Sequence, residues 1–159
     1  MSPVPGRSEP VGRSCVLLRI SARTLSETRR SAVTETVLFV DSDILVRTAV
    51  AEYLRECGYQ VIEALNAEEA LKILRAGAKV DALFSEIGLS GEVDGFSLAQ
   101  TVRQEFPGME IILASGPSLI AKKSGELCEE NGNTLAKPYH PEQLAHKLKS
   151  IFAQRKRKD

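Results

Sequence analysis

Between residues 36 and 152 the chain repeats one pattern five times: a short apolar run, a turn, then apolar residues at helical spacing. Val37-Leu38-Phe39-Val40 is a continuous apolar run, as expected for a strand covered on both faces of a parallel sheet. Residues 59–62, 80–85, 109–114 and 134–136 supply four more strand candidates. After the first run, Asp43 can cap a helix whose apolar face is Val46, Val50, Tyr53, Leu54 and Cys57, ended by Gly58. Asn66 followed by Glu69 resembles a capping box. The helix it opens would bury Ala67, Ala70, Leu71 and Leu74, and Gly77 closes it. A third helix would turn Leu98, Ala99, Val102 and Phe106 inward before the Pro107-Gly108 turn. Residues 119–130 form a weaker helical pattern, followed by a turn at Asn131-Gly132-Asn133. Pro141 suits the first position of a last helix burying Leu144, Leu148, Ile151 and Phe152.

Strict alternation of this kind predicts an α/β, (βα)5 doubly wound domain. Its five-stranded parallel sheet carries helices on both faces through right-handed crossovers. The domain should span residues 33–154. In such sheets, chemistry collects beyond the carboxyl ends of the strands, at the switch point. That rule selects Asp41, Ser42 and Asp43 after strand one, Glu86 after strand three, Ser115-Gly116 after strand four and Lys137 after strand five.

Composition narrows the function. No apolar run reaches the ~20 residues of a membrane helix. Cys15, Cys57 and Cys128 are too scattered for a disulfide framework or zinc site, so reduced thiols in a cytoplasmic protein are expected. The net charge of zero hides a division. Residues 1–32 carry six arginines against two glutamates, while residues 33–154 carry 11 basic and 18 acidic groups. A domain that acidic should repel nucleic-acid phosphates. Residues 1–32, with Pro3, Pro5, Gly6, Pro10 and Gly12, read as a disordered extension. A targeting segment, or a true start near Val33, are the competing readings. Residues 155–159 read as a basic, solvated tail that complements the preceding helix dipole.

Clustered carboxylates need a compensating cation, which Lys137 or a hard divalent ion such as Mg²⁺ would provide. The strand ends thus make a sensible oxyanion or phosphoryl site. A cis bond at Lys137-Pro138 would aim the lysine into it. Each residue also has a plainer role. Asp41 and Asp43 would serve as helix caps, Ser115 as a turn residue and Glu86 as a structural partner of Lys137. His140 and His146 fall at the start and surface of the last helix.

Residues 36–47, 58–64 and 80–86, Asp94-Gly95-Phe96, Ser115-Gly116 and Lys137-Pro138-Tyr139 together resemble a response-regulator receiver domain of the chemotaxis-regulator type. The resemblance covers about three-quarters of the chain and implies the flavodoxin-like receiver fold. In that family an aspartate takes a phosphoryl group from a phosphohistidine. Mg²⁺ is held by two acids and a backbone carbonyl, and a lysine and a hydroxyl grip the phosphate. Position by position, Glu86 stands at the phosphoacceptor place. Asp41 is one metal acid, Ser42 replaces the other, and Asp43 lies one place further on. Gly88 sits at the carbonyl ligand, so the metal set the resemblance implies is Asp41, Glu86 and Gly88, weakened by Ser42. Ser115 and Lys137 line the phosphate pocket, and Thr134 replaces the switch aromatic. Ser90 stands where proline is frequent.

A glutamate carries its carboxylate one methylene further out. A misplacement of ~1 Å can cost on the order of 10²-fold in rate. The expectation is therefore a stand-alone, atypical receiver in two-component signalling. It would not be an enzyme and would act mainly by phosphorylation-independent binding, with at most weak Mg²⁺ affinity. Partners would be a histidine kinase, a phosphotransfer protein or another response regulator, with neither nucleic acid nor membrane. The face of the 119–130 helix, fifth strand and last helix is one docking candidate. The competing expectation is a working Mg²⁺-dependent phosphoacceptor using Glu86 or Asp41. A small flavin-binding enzyme is disfavoured, since Asp41-Ser42-Asp43 replaces any glycine loop that would cradle phosphate.

Overall fold

The computed structural model describes residues 34–116 and 133–158. Five strands form one parallel sheet: β1 (Thr36–Val40), β2 (Gln60–Ala64), β3 (Ala82–Glu86), β4 (Glu110–Ser115) and β5 (Thr134–Ala136). Their order is β2-β1-β3-β4-β5, the flavodoxin-like doubly wound order, with the switch between β1 and β3. Four helices accompany them among the described residues: α1 (Ile44–Glu56), α2 (Ala67–Arg75), α3 (Gly95–Glu105) and α4 (Pro141–Lys158). The helix expected at 119–130, the turn at 131–132, Cys15, Cys128 and the extension 1–32 lie outside the described residues. No helix among the described residues is long and apolar enough to cross a membrane.

Local chemistry sets the helix ends. The Asp43 carboxylate accepts the Leu45 N–H at 2.8 Å and starts α1. Asn66 accepts the Glu69 N–H at 2.9 Å, while Glu69 reaches back to the Leu65 N–H. This is the reciprocal capping expected, shifted outward by one residue. Asp94 caps α3 through the Ser97 N–H at 2.8 Å. Two expectations need correction. Cys57 lies on no buried face: α1 stops at Glu56, and Cys57 is its exposed C-cap. Residues 155–158 are no tail, because α4 runs on to Lys158. Four basic residues in its last turn suit the negative end of the helix dipole. Arg155 and Lys156 also reach Asp81 and Glu35.

Each face of the sheet has its own core. On one side Leu38, Val40 and Leu83 pack with α2 and α3 through Leu74, Leu98 and Val102. On the other, Val37, Phe39 and Phe84 pack with α1 and α4 through Leu54, Leu144 and Leu148. Phe39 and Phe84 stack across β1 and β3 with ring centroids 4.6 Å apart and planes 2° from parallel. Each such buried ring contributes about 1.5–3 kcal/mol. Strand residues alternate faces. Asp41 therefore continues the column of Val37 and Phe39, Glu86 that of Ala82 and Phe84, and Lys137 that of Leu135. The three charged residues crown the α1/α4 core.

Candidate functional site

Asp41 is fully buried, and three of its oxygens already accept donors. Oδ1 takes the Asp43 N–H at 2.8 Å, Oδ2 takes Lys137 Nζ at 3.5 Å, and the carbonyl takes Arg47 Nη1 at 2.7 Å. Lys137 Nζ also donates to Glu86 Oε1 at 2.6 Å. One ammonium thus bridges two carboxylates whose charges would otherwise repel in a poorly solvated place. The lysine is carried by a backbone tie from its own N–H to the Ser115 carbonyl, 2.9 Å, and by a cis bond to Pro138.

The other candidates occupy distinct places. Asp43 does not join this cluster: its carboxylate is spent capping α1, as the plainer reading of its spacing allowed. Ser42 Oγ accepts the Ser90 N–H at 3.0 Å and so joins the β1–α1 loop to the β3–α3 loop. Gly88 stands beside the glutamate, its position for a Cβ lying 4.0 Å from Glu86 Oε1. Ser115 is buried, but its hydroxyl donates to the neighbouring Gly116 carbonyl at 3.1 Å rather than to the cluster. Strand alternation explains this, since Ser115 is in phase with Ile111 and Leu113 on the α2/α3 side. Thr134 opens β5, and its carbonyl accepts Lys147 Nζ at 3.0 Å. His146 is exposed on α4 and His140 on the residue before it.

Three contributors escape a reading by strand ends. Arg47 sits a full turn into α1, yet its side chain returns to the Asp41 carbonyl and to Glu63, 3.7 Å away. Gly95 allows α3 to approach β3: a Cβ there would lie 1.9 Å from the Glu86 carbonyl oxygen and 2.8 Å from Ser85 Oγ. Its own N–H closes the β3–α3 loop on the Ile87 carbonyl at 3.0 Å. Tyr139 packs edge-on against Phe84, with centroids 5.5 Å apart. Its hydroxyl is buried without a hydrogen-bond partner among the described residues. Burial, then the negative charges of Asp41 and Glu86, push its ionisation well above the ordinary phenol range. The signal for Tyr139 was its place beside Lys137-Pro138. Arg47 and Gly95 gave none beyond their presence in quoted motifs.

The donor set is a weak one for a divalent cation. Mg²⁺ needs several oxygens in near-octahedral array. Here Asp41, Glu86 and Ser42 already serve internal donors. Among the described residues no group of three or more acid, histidine or cysteine side chains stands together for a metal.

Residues 37–149 match the family described as Response regulator receiver domain. A response regulator of the NtrX-like type from Rickettsia bellii is 31% identical over 114 residues, covering 71% of this chain and 24% of the relative. The chain thus spans about a quarter of that relative's length. Among solved structures, the chemotaxis response regulator CheY4 of Vibrio cholerae superposes with TM-score 0.66 at 27% identity. It covers 74% of this chain and 98% of its own. A CheY-like receiver domain protein of Methanospirillum hungatei reaches TM-score 0.69 at 22% identity, covering 79% and 99%, and supports the fold alone. The chain belongs to the response regulator receiver domain family, the signalling domains of two-component systems.

Proposed function

We propose that this receiver domain is a binding element that signals mainly without being phosphorylated. One observation carries the reading: the lysine that would grip a phosphate is already held at 2.6 Å by Glu86, the side chain at the phosphoacceptor position. The glutamate supplies about one negative charge where a phosphoryl group would bring ~1.5–2. The pocket is then filled from within, and the partner meets a constant surface. That surface includes Ile44 and Leu45 at the start of α1, 63% and 78% exposed, large for apolar side chains. A histidine kinase, a phosphotransfer protein or another response regulator is the partner class.

A working phosphoacceptor is the weaker reading. Asp41 is fully buried, and Lys137 holds Glu86 through Oε1, away from the position a phosphoryl donor would need. The test is incubation with acetyl phosphate and Mg²⁺ followed by intact mass. No phosphoryl adduct is expected, and a stoichiometric, base-labile adduct on Glu86 or Asp41 overturns the proposal. A pull-down comparing wild type with Glu86→Gln and Glu86→Asp then reads the binding role. Loss of partners in Glu86→Gln is expected.

A further inference from the structure

We infer that Ser42 is a positioning residue that holds the mouth of the site closed without a metal. Two tasks face a cluster of this kind. Its carboxylates need a compensating positive charge, and the two loops carrying them need to be fixed to one another. The first task falls to Lys137, between Asp41 Oδ2 and Glu86 Oε1. The second falls to a direct hydrogen bond between the loops. Ser42 Oγ lies on the loop leaving β1 and accepts the Ser90 N–H, 48 residues away on the loop leaving β3. The neighbouring ends are already anchored: Arg47 holds the Asp41 carbonyl, and the Gly95 N–H holds the Ile87 carbonyl. The Ser42–Ser90 bond therefore joins two stiff arms, where one bond suffices to fix the gap.

A hydroxyl suits this work as a carboxylate would not. It is neutral, so it adds no third negative charge beside Asp41 and Glu86. It also accepts from an amide without demanding a cation. The loops, and the exposed Ile44 and Leu45 that follow Ser42, are thus held ready at any Mg²⁺ concentration. This last consequence rests on the binding role proposed above. The closure itself does not.

The experiment is amide hydrogen exchange by NMR on the free 159-residue chain, with EDTA or millimolar MgCl₂. In wild type the Ser90 amide should be protected equally in both. Ser42→Ala should speed its exchange roughly three- to tenfold, the range for losing one ordinary hydrogen bond. Ser42→Thr, which keeps the hydroxyl, should restore protection. Ser42→Asp should make both Ser90 protection and melting temperature rise with Mg²⁺. Unchanged Ser90 exchange in Ser42→Ala overturns the inference, as does Mg²⁺-dependent protection in wild type. If Ser42→Ala does not fold, the wild-type Mg²⁺ arm decides alone. Partner binding is read separately, so a failed partner assay leaves these outcomes intact.

Discussion

The two ends of the sheet carry the same kinds of charge in opposite circumstances. At the carboxyl end, Lys137, Glu86 and Asp41 are buried or mostly buried on a floor of stacked aromatic rings. At the amino end, where the helices finish, Arg75 meets Glu105 at 2.7 Å, Arg155 faces Asp81 at 3.6 Å and Lys156 meets Glu35 at 2.9 Å. Judged by distance, the Arg75–Glu105 fork is as good as the lysine cluster, and it has a second contact at 3.0 Å. Both of its partners are open to solvent, which screens the attraction. Geometry alone does not separate a site from surface decoration. Burial does, because only a buried partner is left uncompensated when the other is removed.

Five substitutions and one double variant can break or sharpen this contrast. The largest effect should come from Gly95→Ala, whose new carbon would overlap the Glu86 carbonyl. We expect a loss of about 3 kcal/mol or more in urea denaturation, or failure to fold. Its counterpart at the amino end, Gly108→Ala, meets no neighbouring atom. It suffers only from the positive φ of 96° and should lose about 1–2 kcal/mol. Next is Lys137→Met, expected to cost about 2–4 kcal/mol by leaving two carboxylates facing each other. Adding Glu86→Gln should recover part of that loss. If Lys137→Met were as mild as a surface change, the buried character of the carboxyl end would be refuted.

Removing the amino-end pair with Arg155→Ala should change stability by no more than about 0.5 kcal/mol, with the difference fading in high salt. The smallest effect belongs to Glu105→Gln. The bond from Arg75 holds the Glu105 carboxyl below the usual carboxylate range. The stability it adds is present above the unfolded value and disappears as pH falls through the folded one. Wild type and variant melting curves should therefore converge in acid and separate slightly near neutrality.

Much of this was legible in the chain. The limits of β5 and the buried set of α4, Leu144, Leu148, Ile151 and Phe152, follow directly from run length and helical spacing. Strands β2, β3 and β4 end one or two residues later than their apolar runs, because pairing and not hydrophobicity decides where a ladder stops. Glu63 and Glu86 are paired members of the sheet. The meeting of Asp41, Glu86 and Lys137 follows from strand ends plus alternation. The same alternation, applied one residue further, places Ser115 on the opposite face. Asp43 shows local chemistry prevailing, since an N-cap two residues away is a nearer partner than a lysine across the sheet. Cys57 continues the helical spacing yet lies past the end of α1, because periodicity does not encode where a helix stops. Gly95 and Arg47 depend on approaches between segments distant in the chain or folded back on it, which spacing does not encode.

Tyr139 has a practical consequence. The chain contains no tryptophan and three tyrosines, so its near-ultraviolet emission belongs to Tyr53, Tyr59 and Tyr139 alone. Tyr139 is the one whose hydroxyl is shut away from water while it senses both Asp41 and Glu86. Emission from this ring is therefore expected to respond to changes in its packing against Phe84 and in the charges of Asp41 and Glu86. With Tyr53→Phe and Tyr59→Phe to silence the others, Glu86→Gln should shift this emission in unlabelled protein.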